Sequence, residues 1–259
     1  MEFSLKLQQK TSKSYLSYSS IKHALNDMRA FELYMAGKLK KESPALHFGS
    51  MYDMLLFEPD KARDKYQVID HDEIMEKMSD RVKALKNPKS SSEYKAAVQQ
   101  LKTEAIEDDK HLVDESEWKT AYFMVKRLVD SGVKDEFLRG DYQLEFNEFI
   151  EDIPVRGFFD CKGLYVSDSK STRSLSGFKY DVNKFSYDIQ AYIYTQVAGT
   201  DEFYWVAQEK TYPYPIAVYK ASEQTIARGK FKFEQAIEKI KDWLFLDKPV
   251  VDDYIYDEI

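Results

Sequence analysis

Cysteine is almost absent from the 259-residue chain, since Cys161 is its single example. One cysteine excludes an internal disulfide, a cysteine-rich zinc site and an iron–sulfur cluster. The chain also lacks a signal-peptide pattern and an apolar run long enough to cross a bilayer. We therefore expect a protein of the reducing cytoplasm that makes no membrane contact.

An excess of positive charge is also lacking, because the formal net charge is −7. A DNA-binding protein is often basic overall, so this value counts against a nucleic-acid partner. The charge is unevenly distributed, however. Residues 1–41 are locally basic and the tail, 247–259, is acidic, which is compatible with a local DNA groove.

The order of periodic segments predicts an α/β fold with a central mixed β-sheet flanked by helices. We expect one domain over residues 1–259, with a core at about 43–59 and 142–245 and a helical insertion at about 60–140. The first 18 residues are expected to be extended. Helices are predicted at 21–37, 45–57, 71–85, 91–107, 115–131, 183–198 and 222–245, and strands at 142–151, 154–161, 164–170, 202–209 and 214–220.

The most informative stretch is residues 155–172, VRGFFDCKGLYVSDSKST, which predicts two strands joined by a tight turn at Gly163. Asp160 ends the first strand, and Asp168 and Lys170 share one face of the second. Two carboxylates at about 4 Å repel by roughly 4 kcal/mol at an effective dielectric near 20. A divalent cation removes that penalty, and oxygen ligands suit Mg²⁺ or Mn²⁺. The alternative is a surface hairpin with an ordinary ion pair.

Two helices carry further candidates. Asp53 lies in the apolar helix ALHFGSMYDMLLF, either on its polar edge or as a third oxygen ligand. Gln190 and Tyr194 are four residues apart and share a helix face. They either orient the site or pack the helix on the sheet.

Taken in order, these motifs resemble the PD-(D/E)xK nuclease superfamily, and most closely the RecE/RecB-type exonucleases of phage recombination. SYSSIKHALNDMRAFEL resembles the family's N-terminal segment, and FGSMYDMLLFEP resembles its helix F-G-s-x-x-H-x-x-L-x-E-P. GFFD with VSDSKST resembles the G-x-x-D…D-x-K-T core, and QAYIY matches Q-x-x-x-Y. The resemblance covers about 15–60 and 142–198. Asp53 stands where the family has a metal-binding histidine.

The resemblance implies a role for each candidate. Asp160, Asp168, the Ser169 carbonyl and Asp53 would bind Mg²⁺, or Mn²⁺. Lys170 would position or activate the attacking water, Gln190 and Tyr194 would orient the site, and Glu145 would hold a second metal or water. The candidates for DNA phosphate contacts are Arg156, Thr172, Arg173, Lys179 and Lys184, and the alternative is that each is solvated at the surface. The rings of Tyr15, Tyr18, Phe178 and Tyr180 would stack at a DNA end or else pack in the core.

The implied activity is 5′→3′ digestion of linear double-stranded DNA, which leaves 3′ overhangs for a single-strand annealing protein. The implied partners are DNA ends, that annealing protein and further copies of the chain in a ring, in a host cytoplasm. A sequence- or structure-specific endonuclease and a non-catalytic DNA-binding protein on a nuclease fold stay open as alternatives.

Overall fold

The computed structural model describes residues 2–39 and 43–246. The acidic tail and part of the basic run at 38–41 therefore lie outside the described residues. Two compact units are present. The first contains residues 2–39, 132–211 and 215–246, and the second contains residues 43–131 and 212–214. Among the described residues, no helix combines the length and apolarity needed to cross a membrane.

The elements are named here in chain order. The helices are α1 (Glu2–Thr11), α2 (Tyr18–Asn26), α3 (Met28–Met35), α4 (Pro44–Phe57), α5 (Pro59–Lys65), α6 (His71–Lys77), α7 (Asp80–Lys83), α8 (Ser92–Glu107), α9 (Glu115–Asp130), α10 (Val133–Phe137), α11 (Phe178–Lys184), α12 (Tyr187–Ala198) and α13 (Glu223–Phe245). The strands are β1 (Tyr66–Ile69), β2 (His111–Asp114), β3 (Asp141–Ile150), β4 (Ile153–Lys162), β5 (Val166–Thr172), β6 (Phe203–Glu209) and β7 (Ile216–Lys220).

The first unit is built on a five-stranded sheet with the order β3-β4-β5-β6-β7. Its neighbours are antiparallel except β5 and β6, which are parallel. The parallel pair is possible because α11 and α12 form the crossover between its two strands. The prediction of a mixed sheet flanked by helices is confirmed.

Helices α12 and α13 pack on each other and contribute to the core of the first unit. Buried side chains of α12, among them Ile189 and Ile193, join Phe233 and Ile240 of α13 in one apolar cluster with the sheet. The two backbones approach closely at Gly229, where an added Cβ would lie 2.0 Å from the Asp188 carbonyl oxygen. A glycine is therefore required at this contact.

The N-terminal predictions were partly wrong. Residues 2–11 form helix α1 instead of an extended segment, because Phe3 and Leu7, four residues apart, bury one face of it. The single helix predicted at 21–37 is two helices, α2 and α3. The break is at Asp27, whose backbone is extended and whose carboxylate accepts from the Arg29 N–H as the cap of α3.

The second unit is mostly helical, and the predictions for α4, α8 and α9 are confirmed. The helix predicted at 71–85 was wrong in its extent, because α6 ends at Lys77 and α7 begins at Asp80. Strands β1 and β2 were not predicted and form a parallel pair. The boundaries also differ, since α4, grouped with the core in the sequence analysis, belongs to this second unit.

The crossover between β5 and β6 was predicted as a loop followed by one helix at 183–198. This prediction was wrong before residue 187, where the structure has a separate helix. Helix α11 occupies the second half of that loop, and a new helix, α12, begins after Ser186, whose φ of 57° interrupts the helical backbone. The predicted end at Gly199 is confirmed, and its φ of 66° is the left-handed conformation that favours glycine.

Candidate active site

The site lies where β4 and β5 separate. The two strands pair at Cys161–Ser167 and Lys162–Val166. Beyond this point Leu16 lies beside β4, with a bridge to Val155 and hydrogen bonds to its neighbours. Asp160 immediately precedes the paired residues of β4, and Asp168 immediately follows those of β5. The fork between the strands therefore holds one carboxylate on each side.

Backbone and side-chain donors hold these carboxylates in place. The Ser169 N–H donates to Asp160 Oδ2 at 3.0 Å, which ties the side chain of β4 to the backbone of β5. The Gln190 Nε2 donates to Asp168 Oδ1 at 2.6 Å, and the Lys170 ammonium pairs with Asp168 Oδ2. Asp168 is 1% exposed, so this pairing is what makes its burial tolerable.

The electrostatics of the fork favour a bound cation. Burial raises the pKa of Asp160, and the neighbouring Asp168 carboxylate raises it further against the opposing effects of Lys170, the Ser169 N–H and Gln143. Burial lowers the pKa of Lys170, but Asp168 and Asp160 outweigh this effect and raise it. The lysine is therefore an ammonium in this arrangement, suited to positioning and charge balance rather than to proton abstraction.

Helix α12 delivers Gln190 and Tyr194 to the carboxylates. Tyr194 is hydrogen-bonded to Gln190 and packs edge-on against Phe146 and Phe159. Burial raises the Tyr194 pKa, and the charges of Asp168 and Asp160 raise it further, so the hydroxyl stays protonated. The spacing of four residues thus places Gln190 against the Asp168 carboxylate and Tyr194 behind Gln190.

Two residues at the site, Tyr187 and Gln143, were not assigned a role from the sequence, whereas Tyr18 was predicted either to stack at a DNA end or to pack in the core. The ring of Tyr187 lies 5.1 Å from Lys170 Nζ, and the Gln143 side chain is hydrogen-bonded to Asp160. Tyr18 lies close enough that the charge of Lys170 affects its pKa, which burial raises. Tyr187 stands three residues before Gln190, one helical turn away, which is the signal that could have indicated it. Gln143 has a φ of 51° inside β3, and no sequence pattern indicates this backbone conformation.

A comparison with models of protein families shows which family the chain belongs to. Residues 17–248 match the model described as "PDDEXK-like domain of unknown function (DUF3799)". The chain belongs to this family. It is therefore a member of the PD-(D/E)xK nuclease superfamily, as its motifs predicted.

A solved structure shares the fold of this PDDEXK-like domain. It is a crystal structure of a protein from Eubacterium rectale that is named as a candidate exonuclease. The TM-score is 0.63 at 15% sequence identity, and the match covers 94% of this chain and 85% of that one. At this identity the likeness concerns the fold. The search of curated proteins found no match.

The other residues predicted for the PDDEXK-like site lie as follows. Glu145 forms an ion pair with Arg156 at 2.6 Å, and both side chains are exposed. Thr172 is buried and exchanges hydrogen bonds with the backbone of Ser174. The exposed candidates for phosphate contacts are Arg173, Lys179 and Lys184. Their predicted roles stay predictions.

Asp53 belongs to the second unit of the domain. It is half-buried on α4, and its charge raises the pKa of Tyr66, after the larger effect of burial. Its role as a metal ligand stays a prediction, as does that of the Ser169 carbonyl, whose residue is seen to donate its N–H to Asp160.

The donor set fits a divalent metal ion. Asp168 supplies a buried and Asp160 a half-buried carboxylate, and the raised pKa of Asp160 indicates a site that favours added positive charge. Within residues 2–39 and 43–246, no cluster of three or more His, Cys, Asp or Glu side chains could hold a metal. The carboxylate oxygens of Asp160 and Asp168 are hard donors of the kind that bind divalent cations.

Proposed function

We propose that the protein is a metal-dependent deoxyribonuclease that digests linear double-stranded DNA from its ends. The observation that carries this proposal is the fork, where the buried Asp168 carboxylate, the half-buried Asp160 carboxylate and a lysine ammonium meet. A structural ion pair needs one carboxylate, whereas a second carboxylate held beside it and partly removed from water is costly without a cation. Membership of a PDDEXK-like family supports the same reaction class.

The chain's own residues would act by binding and orientation. Asp160 and Asp168 would hold a divalent cation, Mg²⁺ or Mn²⁺, which when bound polarises a phosphodiester and lowers the pKa of a water. Lys170 would hydrogen-bond the attacking water or a phosphate oxygen and balance its charge. Gln190 would fix Asp168, and the Ser169 N–H would fix Asp160. Hydrolysis would leave a 5′-phosphate and a 3′-hydroxyl.

The finer features rest on the resemblance to RecE-type exonucleases. We infer 5′→3′ polarity, a 3′ overhang for a single-strand annealing protein, and a closed ring of copies in the cytoplasm of a phage host. Attack from a DNA end agrees with the exonuclease activity suggested in the name of the structural neighbour.

The test compares linear duplexes labelled at the 5′ or the 3′ end with covalently closed circles, in Mg²⁺ and in Mn²⁺. The variants are Lys170→Ala and, as a matched control, Lys220→Ala, which removes an exposed lysine of β7. We expect release of the 5′ label from linear DNA, a loss of at least about 100-fold in Lys170→Ala, and wild-type rates in the control.

Other results would change the proposal. Cutting of closed circles would indicate an endonuclease. Release of the 3′ label first would reverse the polarity. No hydrolysis in either metal by the folded protein would refute the nuclease and leave a DNA-binding role.

A further inference from the structure

A cluster of aromatic rings extends from the catalytic lysine to the protein surface. The ring of Tyr187 lies 5.1 Å from Lys170 Nζ, and the ring of Phe185 lies 5.7 Å from that of Tyr187. The Tyr18 hydroxyl donates to the Phe185 carbonyl oxygen at 2.6 Å, which fixes α2 to the turn between α11 and α12. We call Tyr18, Phe185 and Tyr187 the aromatic cluster.

The aromatic cluster is partly open to solvent. Phe185 is 39% exposed, while Tyr18 and Tyr187 are half-buried. Phe185 thus leaves an apolar surface two ring contacts away from Lys170.

Two lysines flank the aromatic cluster, and the carboxylates that act on its rings are those of Asp168, Asp181 and Asp188. Lys22 Nζ lies 5.0 Å from the centre of the Tyr18 ring, and Lys184 Nζ lies 5.3 Å from the centre of the Phe185 ring. The nearby carboxylate of Asp188 is fully buried and is bound by Arg228 and Lys232. Rings flanked by lysines are the features that single-stranded nucleic acids recognise, through base stacking and phosphate contacts.

We propose that the aromatic cluster binds an unpaired DNA segment and leads it to the fork, with bases on Phe185 and Tyr18 and phosphates on Lys22 and Lys184. The choice of DNA rests on the proposed function. Unpaired bases are favoured over duplex because stacking on a side chain needs a free base face, and within a duplex both faces are covered by neighbouring pairs. The substrate at this site is then a frayed or tailed end.

The test measures binding without hydrolysis, by fluorescence anisotropy in EDTA. The probes are a labelled oligothymidylate and a labelled blunt duplex of equal length. The variants are Phe185→Ala and the control Phe149→Ala, which removes a 54% exposed ring from β3 of the same unit. We expect Phe185→Ala to bind oligothymidylate about 5- to 100-fold more weakly, and Phe149→Ala to bind it as wild type does.

A second variant, Lys184→Ala, tests the phosphate contacts. It should make the plot of log affinity against log salt concentration shallower by about 0.7 for the single strand. Wild-type affinity for oligothymidylate in Phe185→Ala, with circular dichroism showing a folded protein, would overturn the proposal. Equal losses in Phe149→Ala, or tighter wild-type binding to the blunt duplex, would overturn it as well.

This result is separable from that of the nuclease assay. Anisotropy in EDTA requires no metal and no bond cleavage, so the binding result stands whether or not DNA is hydrolysed. Binding lost in Phe185→Ala together with absent hydrolysis would refute the nuclease and support the strand-binding site.

Discussion

At the scale of single residues, Asp160 carries a conflict between stability and metal binding. Burial and the charge of Asp168 raise its pKa above the ordinary value, so the ionised form destabilises the folded state. The folded state binds a proton more tightly than the unfolded chain does. Stability in EDTA should therefore rise as the pH falls from 8 to 5, before the remaining carboxylates titrate.

Replacing this residue gives the first prediction. Asp160→Asn should raise the unfolding free energy in EDTA at pH 8 by about 1 kcal/mol or more, or about 2–4 °C in Tm, and flatten the pH dependence between 8 and 5. It should also abolish stabilisation by Mg²⁺. The measurement is thermal unfolding followed by circular dichroism. Asp201→Asn, at an exposed position, controls for the loss of charge. Equal stabilisation of both variants would contradict the prediction.

The single cysteine gives the second prediction. Cys161 is 1% exposed, and burial, with the charges of Asp160 and Asp141, raises its pKa to about 12. Since the thiolate is the reactive form, reaction with a disulfide reagent at pH 8 should be at least roughly a thousandfold slower in the folded protein than in the unfolded chain. The rate of Cys161 labelling, measured with and without guanidinium, gives this ratio. Fast labelling under native conditions would show that the β4–β5 fork opens.

At the scale of elements, the position of α12 depends on a buried charge network with α13. The Asp188 carboxylate is fully buried and accepts hydrogen bonds from Arg228 and from Lys232, whose ammonium also binds Asn183. The network holds the first turn of α12, which carries Tyr187 and Gln190. It therefore couples the packing of two helices to the geometry of the site.

The third prediction concerns this network. Asp188→Ala should destabilise the protein by about 1–3 kcal/mol, because it leaves the largely buried Lys232 ammonium without its partner while the 41% exposed Arg228 stays solvated. Glu234→Ala is the matched control on α13, since its pair with Lys230 is exposed, and it should cost less than about 1 kcal/mol. Urea unfolding of both variants measures the difference. Similar small losses would mean that the network contributes little beyond its apolar surroundings.

The elements that the sequence predicted well are those with a local signal. Gly163 and alternating apolar residues indicated the hairpin, and Ser222 indicated the start of α13, where it caps the Thr225 N–H. The strands β1 and β2 were missed because each has four residues and each is stabilised by the other, across a separation that no local pattern shows. Helix α1 was missed because two buried residues are too few to establish a period.

The candidate site was also predictable where its residues have a local signal, and not where it depends on a long-range contact. Asp160, Asp168, Lys170 and Gln190 occur in recognisable spacings, and the structure brings all four together. The separation of β4 from β5 was not predictable, because it depends on Leu16 taking the place beside Val155. Tyr18 joins the site through that same long-range contact of the N-terminal segment.

At the scale of the whole molecule, net charge opposes the proposed substrate. A chain of net charge −7 repels DNA over long distances, and this repulsion extends furthest at low ionic strength, where the Debye length is about 30 Å at 0.01 M. Binding must then come from local cations that displace counterions from phosphates. Affinity should therefore depend on a few identifiable residues rather than on the overall field.

The fourth prediction tests two of these residues, Arg173 and Lys179, which are both exposed on the segment after β5. If each contacts a phosphate of a duplex end, the double variant Arg173→Ala/Lys179→Ala should make the slope of log affinity against log salt less steep by about 1.8. Anisotropy titrations in EDTA over a range of salt concentrations measure the slope. Lys230→Ala, which removes an exposed cation of α13, should leave it unchanged. An unchanged slope in the double variant would show that both residues are solvated surface charges. The duplex must then be held by other cations of the chain.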